Sequence, residues 1–338
     1  MRRIPAGTLA RLMEDALRRR GLPDEHVAFV VDGLIGTSLR GIDTHGVRLF
    51  PTYIAELDGG RSRARPDFRW SGRGAVRVLD AGHAHGLVAG RVAADEAARL
   101  ARESGVGAVA VRNSNHFGAA SVYTLEMARQ GILGLSFTNS DALVAPHGGL
   151  RPAFGTNPIS MAARGIGEDL FCADFATSQV SYSKVKHHRA HGVPLEPGWA
   201  VEDAADVAAL KPLGGHKGQC LGMMVEILCA LLAGMPQDHE LSHLYEPPYD
   251  EPRRVAHFFL ALDVEAFREP GDFQADLSRL LARTRSEPAM PGARVMVPGD
   301  PEEEAAAERR VHGIPMDEEE WRLFEAAAST SDAPAPGR

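Results

Sequence analysis

Gly105-Val106-Gly107-Ala108-Val109-Ala110 matches the glycine spacing of a dinucleotide fingerprint, yet it stands in the wrong order along the chain. A Rossmann loop leaves a strand and opens a helix, so that a pyrophosphate meets the helix N-terminus. Here an alanine-rich helical pattern from Leu87 to Arg102 comes first, and Val106 to Val111 reads as a buried strand after it. The glycines are then a helix C-cap and a tight lead into a strand. The match is rejected.

Working outward from this stretch, the turn Gly82-His83-Ala84-His85-Gly86 precedes the helix, and Val76 to Asp80 reads as a strand before that turn. Nearer the N-terminus, Thr8 is expected to cap a helix bearing Leu9, Leu12, Met13 and Leu17 on one face, stopped by Gly21. Pro23-Asp24-Glu25 opens a second helix that carries Val27, Val30, Val31, Leu34 and Ile35 and ends near Arg40-Gly41. Pro51-Thr52-Tyr53-Ile54 belongs to a third. Downstream, Ala119 to Arg129 is helical and Gly134 to Asn139 a strand, followed by the small-residue loops Gly148-Gly149 and Phe154 to Pro158. Leu170 to Phe175 is a strand, with Asp174 to Ser178 at its end as an N-cap candidate. Gly214 to Gly218 leads into an apolar helix over Leu221 to Leu232. Strands at Ala256 to Leu262 and Val295 to Asp300, a helix at Phe273 to Thr284 and acidic final helices complete the chain. Ser329 to Arg338 is expected to be a disordered tail. Strands and helices mix without strict βαβ alternation, which predicts an α/β protein on a mixed sheet.

The chain has 338 residues, 44% of them apolar, and a net charge of −8. No basic stripe suits nucleic acid, and no apolar run reaches membrane-spanning length. Cys172, Cys220 and Cys229 are scattered and odd in number, which points to a reducing, cytoplasmic setting without a disulfide framework or zinc ribbon.

Chemistry concentrates in Gly41-Ile42-Asp43-Thr44-His45-Gly46-Val47-Arg48. A hydroxyl can orient an imidazole, an imidazole moves a proton near neutral pH, and a guanidinium fork fits a carboxylate. A second histidine stands in Asn113-Ser114-Asn115-His116-Phe117-Gly118. The alternatives are a surface turn histidine for His45 and a backbone-capping one for His116. Lys217, at a glycine-rich helix start, suits a phosphate, although the Walker A spacing is absent. His187 and His191 would share a helix face, but no glutamate stands at the zincin position, so a solvated face is expected and no metal.

These phrases, with Gly155-Thr156-Asn157-Pro158, Asp174 to Ser178, Gly215-His216-Lys217-Gly218 and Pro298-Gly299-Asp300, stand in an order that resembles the malate/L-lactate dehydrogenase family of the non-Rossmann type. The family includes ureidoglycolate and sulfolactate dehydrogenases, diketogulonate reductase and the cyclic imino acid reductases. The resemblance runs from about Leu9 to about Phe324. It implies a non-Rossmann nicotinamide-binding domain on a mixed sheet, flanked by helical N- and C-terminal segments, in a homodimer. Residues 1–75 would carry the Thr44-His45 site, 76–255 the cofactor domain, and 256–328 would return to the N-terminal part.

By the same resemblance, His45 and His116 are the proton-transfer candidates, with Thr44 orienting His45. Arg48 would grip the carboxylate, and Ser140 and Thr156 would line the substrate site. NAD or NADP would be held by His116, Phe117, Gly118, Ala119 and Ala120, by Asp174, Phe175 and Ala176, by His216 and Lys217, and by Gly299 and Asp300. Lys184 and Lys186 tilt the expectation towards NADP. The implied reaction moves hydride between nicotinamide and a small 2-oxo or 2-hydroxy acid. A cyclic imino acid reductase and a binding homologue without turnover are the alternatives, and a metal-dependent lyase is a remote third. The sequence departs from the family pattern at Arg48, one residue earlier than in many relatives, at Cys220, at His187 and His188, and in a short stretch between Trp199 and Lys211.

Overall fold

The computed structural model describes residues 1–190, 192–202 and 207–329. A short strand β1 (Arg2–Ile4) leads into α1 (Ala6–Arg19), α2 (Asp24–Leu39) and α3 (Phe50–Asp58). A hairpin follows, β2 (Arg69–Arg73) and β3 (Val76–Asp80), then α4 (Gly86–Ser104), β4 (Val106–Ser114), α5 (Ser121–Arg129) and β5 (Ile132–Thr138). The chain continues through β6 (Ile159–Arg164), β7 (Leu170–Phe175), α6 (Tyr182–Ala190), the small hairpin β8 (Ala200–Glu202) and β9 (Val207–Leu210), and α7 (His216–Glu226). It closes with β10 (Val255–Asp263), α8 (Asp272–Arg285), α9 (Asp300–His312), β11 (Ile314–Met316) and α10 (Glu318–Ser329).

Seven strands form the central sheet in the order β2-β3-β4-β10-β5-β6-β7. Only β3 and β4 run parallel; the other neighbours are antiparallel. The sheet is therefore mixed, as expected. Gly105 ends α4 at φ 79° with its N–H on the Ala101 carbonyl. A Cβ on Gly107 would stand 2.0 Å from the Ala97 carbonyl oxygen. Both glycines thus serve the close packing of α4 on β4, and neither faces a nucleotide.

One apolar core joins the N-terminal helices (Leu9, Met13, Val30, Leu34, Phe50) to α4 and to the C-terminal Ile314, Met316 and Phe324. Phe50 and Phe324 stand 5.1 Å apart between ring centroids, and β1 pairs with β11. The helix carrying Tyr53 is therefore wedged between the chain's two ends.

Several local expectations are corrected. Thr8 lies inside α1, whose N-cap is Pro5 at φ −56°, an angle the ring fixes in advance. No helix starts at Asp174 to Ser178; the next begins at Tyr182. Val295 to Asp300 is not a strand. It passes the edge strand β7 with one bond, from Cys172 N–H to the Pro298 carbonyl at 3.0 Å, and proline has no donor to extend a ladder. The apolar helix opens at His216, earlier than Leu221, and passes into a π-helical turn over Ile227–Leu231. Strand β6, unread in the sequence, pairs with β5 and β7. His191, residues 203–206 and the tail from 330 onward lie outside the described residues.

Candidate active site

Thr44 and His45 sit on a single 3₁₀ turn, Asp43–His45, between α2 and α3. Arg309 fixes the turn by pairing with both Asp43 oxygens at 2.5 and 3.0 Å. Ser38 packs so closely that a Cβ on Gly46 would stand 2.0 Å from its Oγ. The Thr44 hydroxyl lies 2.9 Å from His45 Nδ1.

His116 follows the end of β4, and the residues before it explain its position. Asn113 takes a left-handed φ of 54° and donates to Asp80 at 2.9 Å. The buried Asn115 amide donates to the carbonyls of Ala84 (2.9 Å) and His83 (3.2 Å) and to Ser62 Oγ (3.2 Å). Beneath them, His257 bridges Ser114 Oγ (2.8 Å) and Thr138 Oγ1 (2.7 Å) and stacks on Phe117 at 4.6 Å. The loop carrying His116 is thus tied down on both sides.

The two imidazoles stack at 5.7 Å between ring centroids. The Tyr53 hydroxyl lies 2.7 Å from His116 Nδ1, and the Gly118 backbone N–H approaches the same nitrogen at 3.4 Å. A backbone N–H can only donate, so Nδ1 is the acceptor and the neutral ring carries its proton on Nε2. Burial depresses the His45 pKa, with Asp174 opposing. Burial pushes His116 well below its ordinary value, and His45 adds to the effect. Both rings are therefore neutral near pH 7 and able to exchange a proton with a reacting oxygen.

The histidines close one end of a cleft of about 310 Å³. Thr44, Gly118, Ala119, Ala120, Ser140, Thr156, Asp174, Phe175 and Ala176 line it, all expected at a site. Asp174 accepts the Ser121 N–H at 2.8 Å, at the start of α5, and burial raises its pKa. Past Asp174, Phe175 and Glu302 the cleft meets a second groove of about 390 Å³ that reaches Gly299 and Arg40.

Other expected residues stand elsewhere. Arg48 does not line the cleft: its Nε lies 3.0 Å from Glu320 of α10, an ion pair without hydrogen-bond geometry. Phe117 is fully buried in the core below the cleft. Asp300 pairs with Arg285 at 2.8 Å and accepts the Val297 N–H at 3.0 Å. His216 and Lys217 lie on the first turn of α7, outside the cleft lining. Lys184 and Lys186 rest on aromatic rings, Trp199 at 4.5 Å and Tyr182 at 4.9 Å. Cys220 is exposed and free. Among the described residues no group of three or more His, Cys, Asp or Glu side chains could hold a metal ion.

The sequence reading passed over Tyr53 as a site residue, and over Asp141, Tyr182, His243 and Tyr245, which also line the cleft. A buried tyrosine needs a partner for its hydroxyl, which is the one signal that pointed to Tyr53.

Burial holds six histidines below their unfolded pKa (His26, His45, His83, His85, His116 and His257), with His85 and His257 pulled down to about 3. Between pH 6.5 and about 3 the unfolded chain binds protons that the native one refuses, so stability falls as pH drops through that window. The urea midpoint is expected to be lower at pH 5 than at pH 7; an equal or higher midpoint at pH 5 would contradict this.

Residues 4–325 match the family model described as malate/L-lactate dehydrogenase. The chain is 35% identical to a malate dehydrogenase of Pyrococcus abyssi over 297 residues, covering 82% of this chain and 81% of the relative. It is 30% identical to the ureidoglycolate dehydrogenase (NAD(+)) of Escherichia coli O157:H7, covering 92% of each chain. The crystal structure of malate dehydrogenase from Entamoeba histolytica superposes with a TM-score of 0.91 at 27% identity, covering 99% of each chain.

Proposed function

The chain belongs to the malate/L-lactate dehydrogenase family, and on that premise we propose that its cleft moves hydride reversibly between NADH or NADPH and a small 2-oxo or 2-hydroxy acid. The observation that carries this reading is the stacked pair His45 and His116, each with a hydroxyl partner, at the closed end of the cleft.

When bound, the nicotinamide supplies or accepts the hydride. Everything else falls to side chains of the chain. His116 and His45 exchange the proton that the substrate oxygen gains or loses. Thr44 and Tyr53 hold the two rings in place by their Nδ1 atoms. Ser140 and Thr156 offer hydroxyls to the substrate, their Oγ atoms 3.5 Å apart. The second groove suits a dinucleotide's phosphates: the first turns of α5 and α9 line it, and Arg40, which pairs with Glu303, stands at its edge. Asp174 and Gly299 line the path between. A homodimer remains the expected assembly.

Because Arg48 pairs with Glu320, the substrate carboxylate is assigned to the histidines and hydroxyls of the cleft. Arg48→Ala is therefore expected to change KM for the acid by less than roughly threefold, as for a surface ion pair. A rise of tenfold or more would return the clamp to Arg48.

The deciding assay follows loss of reduced-nicotinamide absorbance, with NADH and NADPH separately, against 2-oxo acids and cyclic imines. Turnover with oxo acids supports the proposal. Turnover with imines alone moves the protein to imino acid reduction. Cofactor binding without any turnover points to a binding homologue.

A further inference from the structure

We infer that Asp238 is a positioning residue that locks the two hydroxyl-bearing walls of the cleft, at Ser140 and Thr156, to each other and to α7. The inference rests on the proposed reading of the cleft. Asp238 is fully buried and lies on a short turn, Asp238–Glu240. Its Oδ2 accepts the Gly155 backbone N–H at 2.8 Å and the Asn157 amide at 2.7 Å. Its own carbonyl accepts the Ala142 N–H at 3.2 Å, and its N–H donates to Glu226 at 3.0 Å.

Asn157 carries the connection onward. Its Oδ1 accepts the Ser140 N–H at 3.2 Å, and its amide donates to the Gly222 carbonyl of α7 at 3.1 Å. Ser140 Oγ in turn accepts the Thr156 N–H at 3.1 Å. Asn157 adopts a left-handed φ of 37°, so this wall needs restraint. The loop has no slack: a Cβ on Gly155 would stand 2.4 Å from Ser140 Oγ. The carboxyl therefore restrains Gly155 and Asn157 directly, and Ser140 through Asn157, without touching the cleft, since Asp238 is not among the lining residues.

The remaining oxygen, Oδ1, is buried without a hydrogen-bond partner. The groups around Asp238 are Glu226 and the Cys229 thiol from α7 and its continuation, Asn139 beyond β5, and Gly155 and Asn157 from the loop. The nearest ionisable carboxyl is another acid, Glu226. Burial, with Glu226 adding to it, pushes the Asp238 pKa up to about 7. Below that pH a proton on Oδ1 leaves the lock neutral. The Gly155 N–H and the Asn157 amide oppose that rise, because both donate more strongly to the ionised carboxylate.

The test uses the full chain as Asp238→Ala and Asp238→Asn. Acid KM, kcat and NADH affinity (by fluorescence) are measured from pH 6 to 9, with amide exchange over residues 153–158. Asp238→Ala should raise acid KM roughly tenfold or more, the scale of a lost supporting contact. Its NADH affinity should hold, and Gly155 should exchange faster. Asp238→Asn keeps an acceptor oxygen, so it should restore KM at pH 6. A wild-type KM in Asp238→Ala, unchanged Gly155 exchange in that variant, or an Asp238→Asn that fails to restore KM at pH 6 would each overturn the inference. So would KM and NADH affinity worsening together. Absence of wild-type turnover across the panel would instead overturn the reading of the cleft, and the exchange data would still decide whether Asp238 holds the loop.

Discussion

His116→Ala is expected to lower kcat/KM by about two orders of magnitude or more, the scale of a lost proton donor, while NADH still binds. The ring is the one cleft imidazole with its Nδ1 held by both a phenol and a backbone N–H. Its proton is thereby assigned to Nε2. His45 remains in the variant, with Thr44 on its Nδ1, but it stands a full ring separation of 5.7 Å away. The substitution also strips the buried Tyr53 hydroxyl of its partner, at a cost of roughly 1–3 kcal/mol. The double variant Tyr53→Phe/His116→Ala should recover that stability without recovering rate. Steady-state kinetics with a melting curve separates the two effects. A kcat/KM within threefold of wild type would remove His116 from the chemistry.

Gly86→Ala should be the most damaging single methyl near the site. A Cβ there would stand 2.1 Å from the His116 carbonyl oxygen and 2.4 Å from that of Asn115. Those are backbone atoms, which cannot rotate aside as a side chain would. Either the start of α4 lifts from the loop or the loop moves and takes His116 with it. Overpacking of this kind costs about 3 kcal/mol, which for a chain of 338 residues lowers the melting temperature by roughly 4 °C. A shift of about 1 Å in His116 would cost a further hundredfold in rate. Because His85 caps α4 through Nδ1 and the Leu87 N–H at 3.1 Å, the helix start is held in place and the loop takes the displacement. Thermal melting and turnover should both fall. Wild-type values in both would mean the approach of α4 to the loop is looser than these distances.

The contact of Thr44 with His45 was legible in the sequence because a hydroxyl next to an imidazole is a local fact. The rejected fingerprint was legible for the same reason, since helix-before-glycine is local order. Tyr53 was not, because it meets His116 across 63 residues. Arg48 was read as a clamp because nothing near it shows that Glu320, on the last helix, faces it. Asp238 escaped notice because its partners come from three separate segments. Val295 to Asp300 looked like a strand from its apolar start, while Pro298 and the edge position of β7 decided otherwise. Strand β6 was missed because Ser160 and the alanines beside it give a weak strand pattern, and pairing on both sides supplies what propensity lacks.

The stacking of His45 on His116 has a thermodynamic consequence for the whole reaction. Two desolvated rings at 5.7 Å cannot both carry charge near neutrality, since each cation raises the cost of the other. The pair is a reservoir with capacity for one proton. A reaction that moves one hydride and one proton empties or fills it once per turnover. Solvent acidity, acting through that single vacancy, then sets which direction of the reaction finds the enzyme ready.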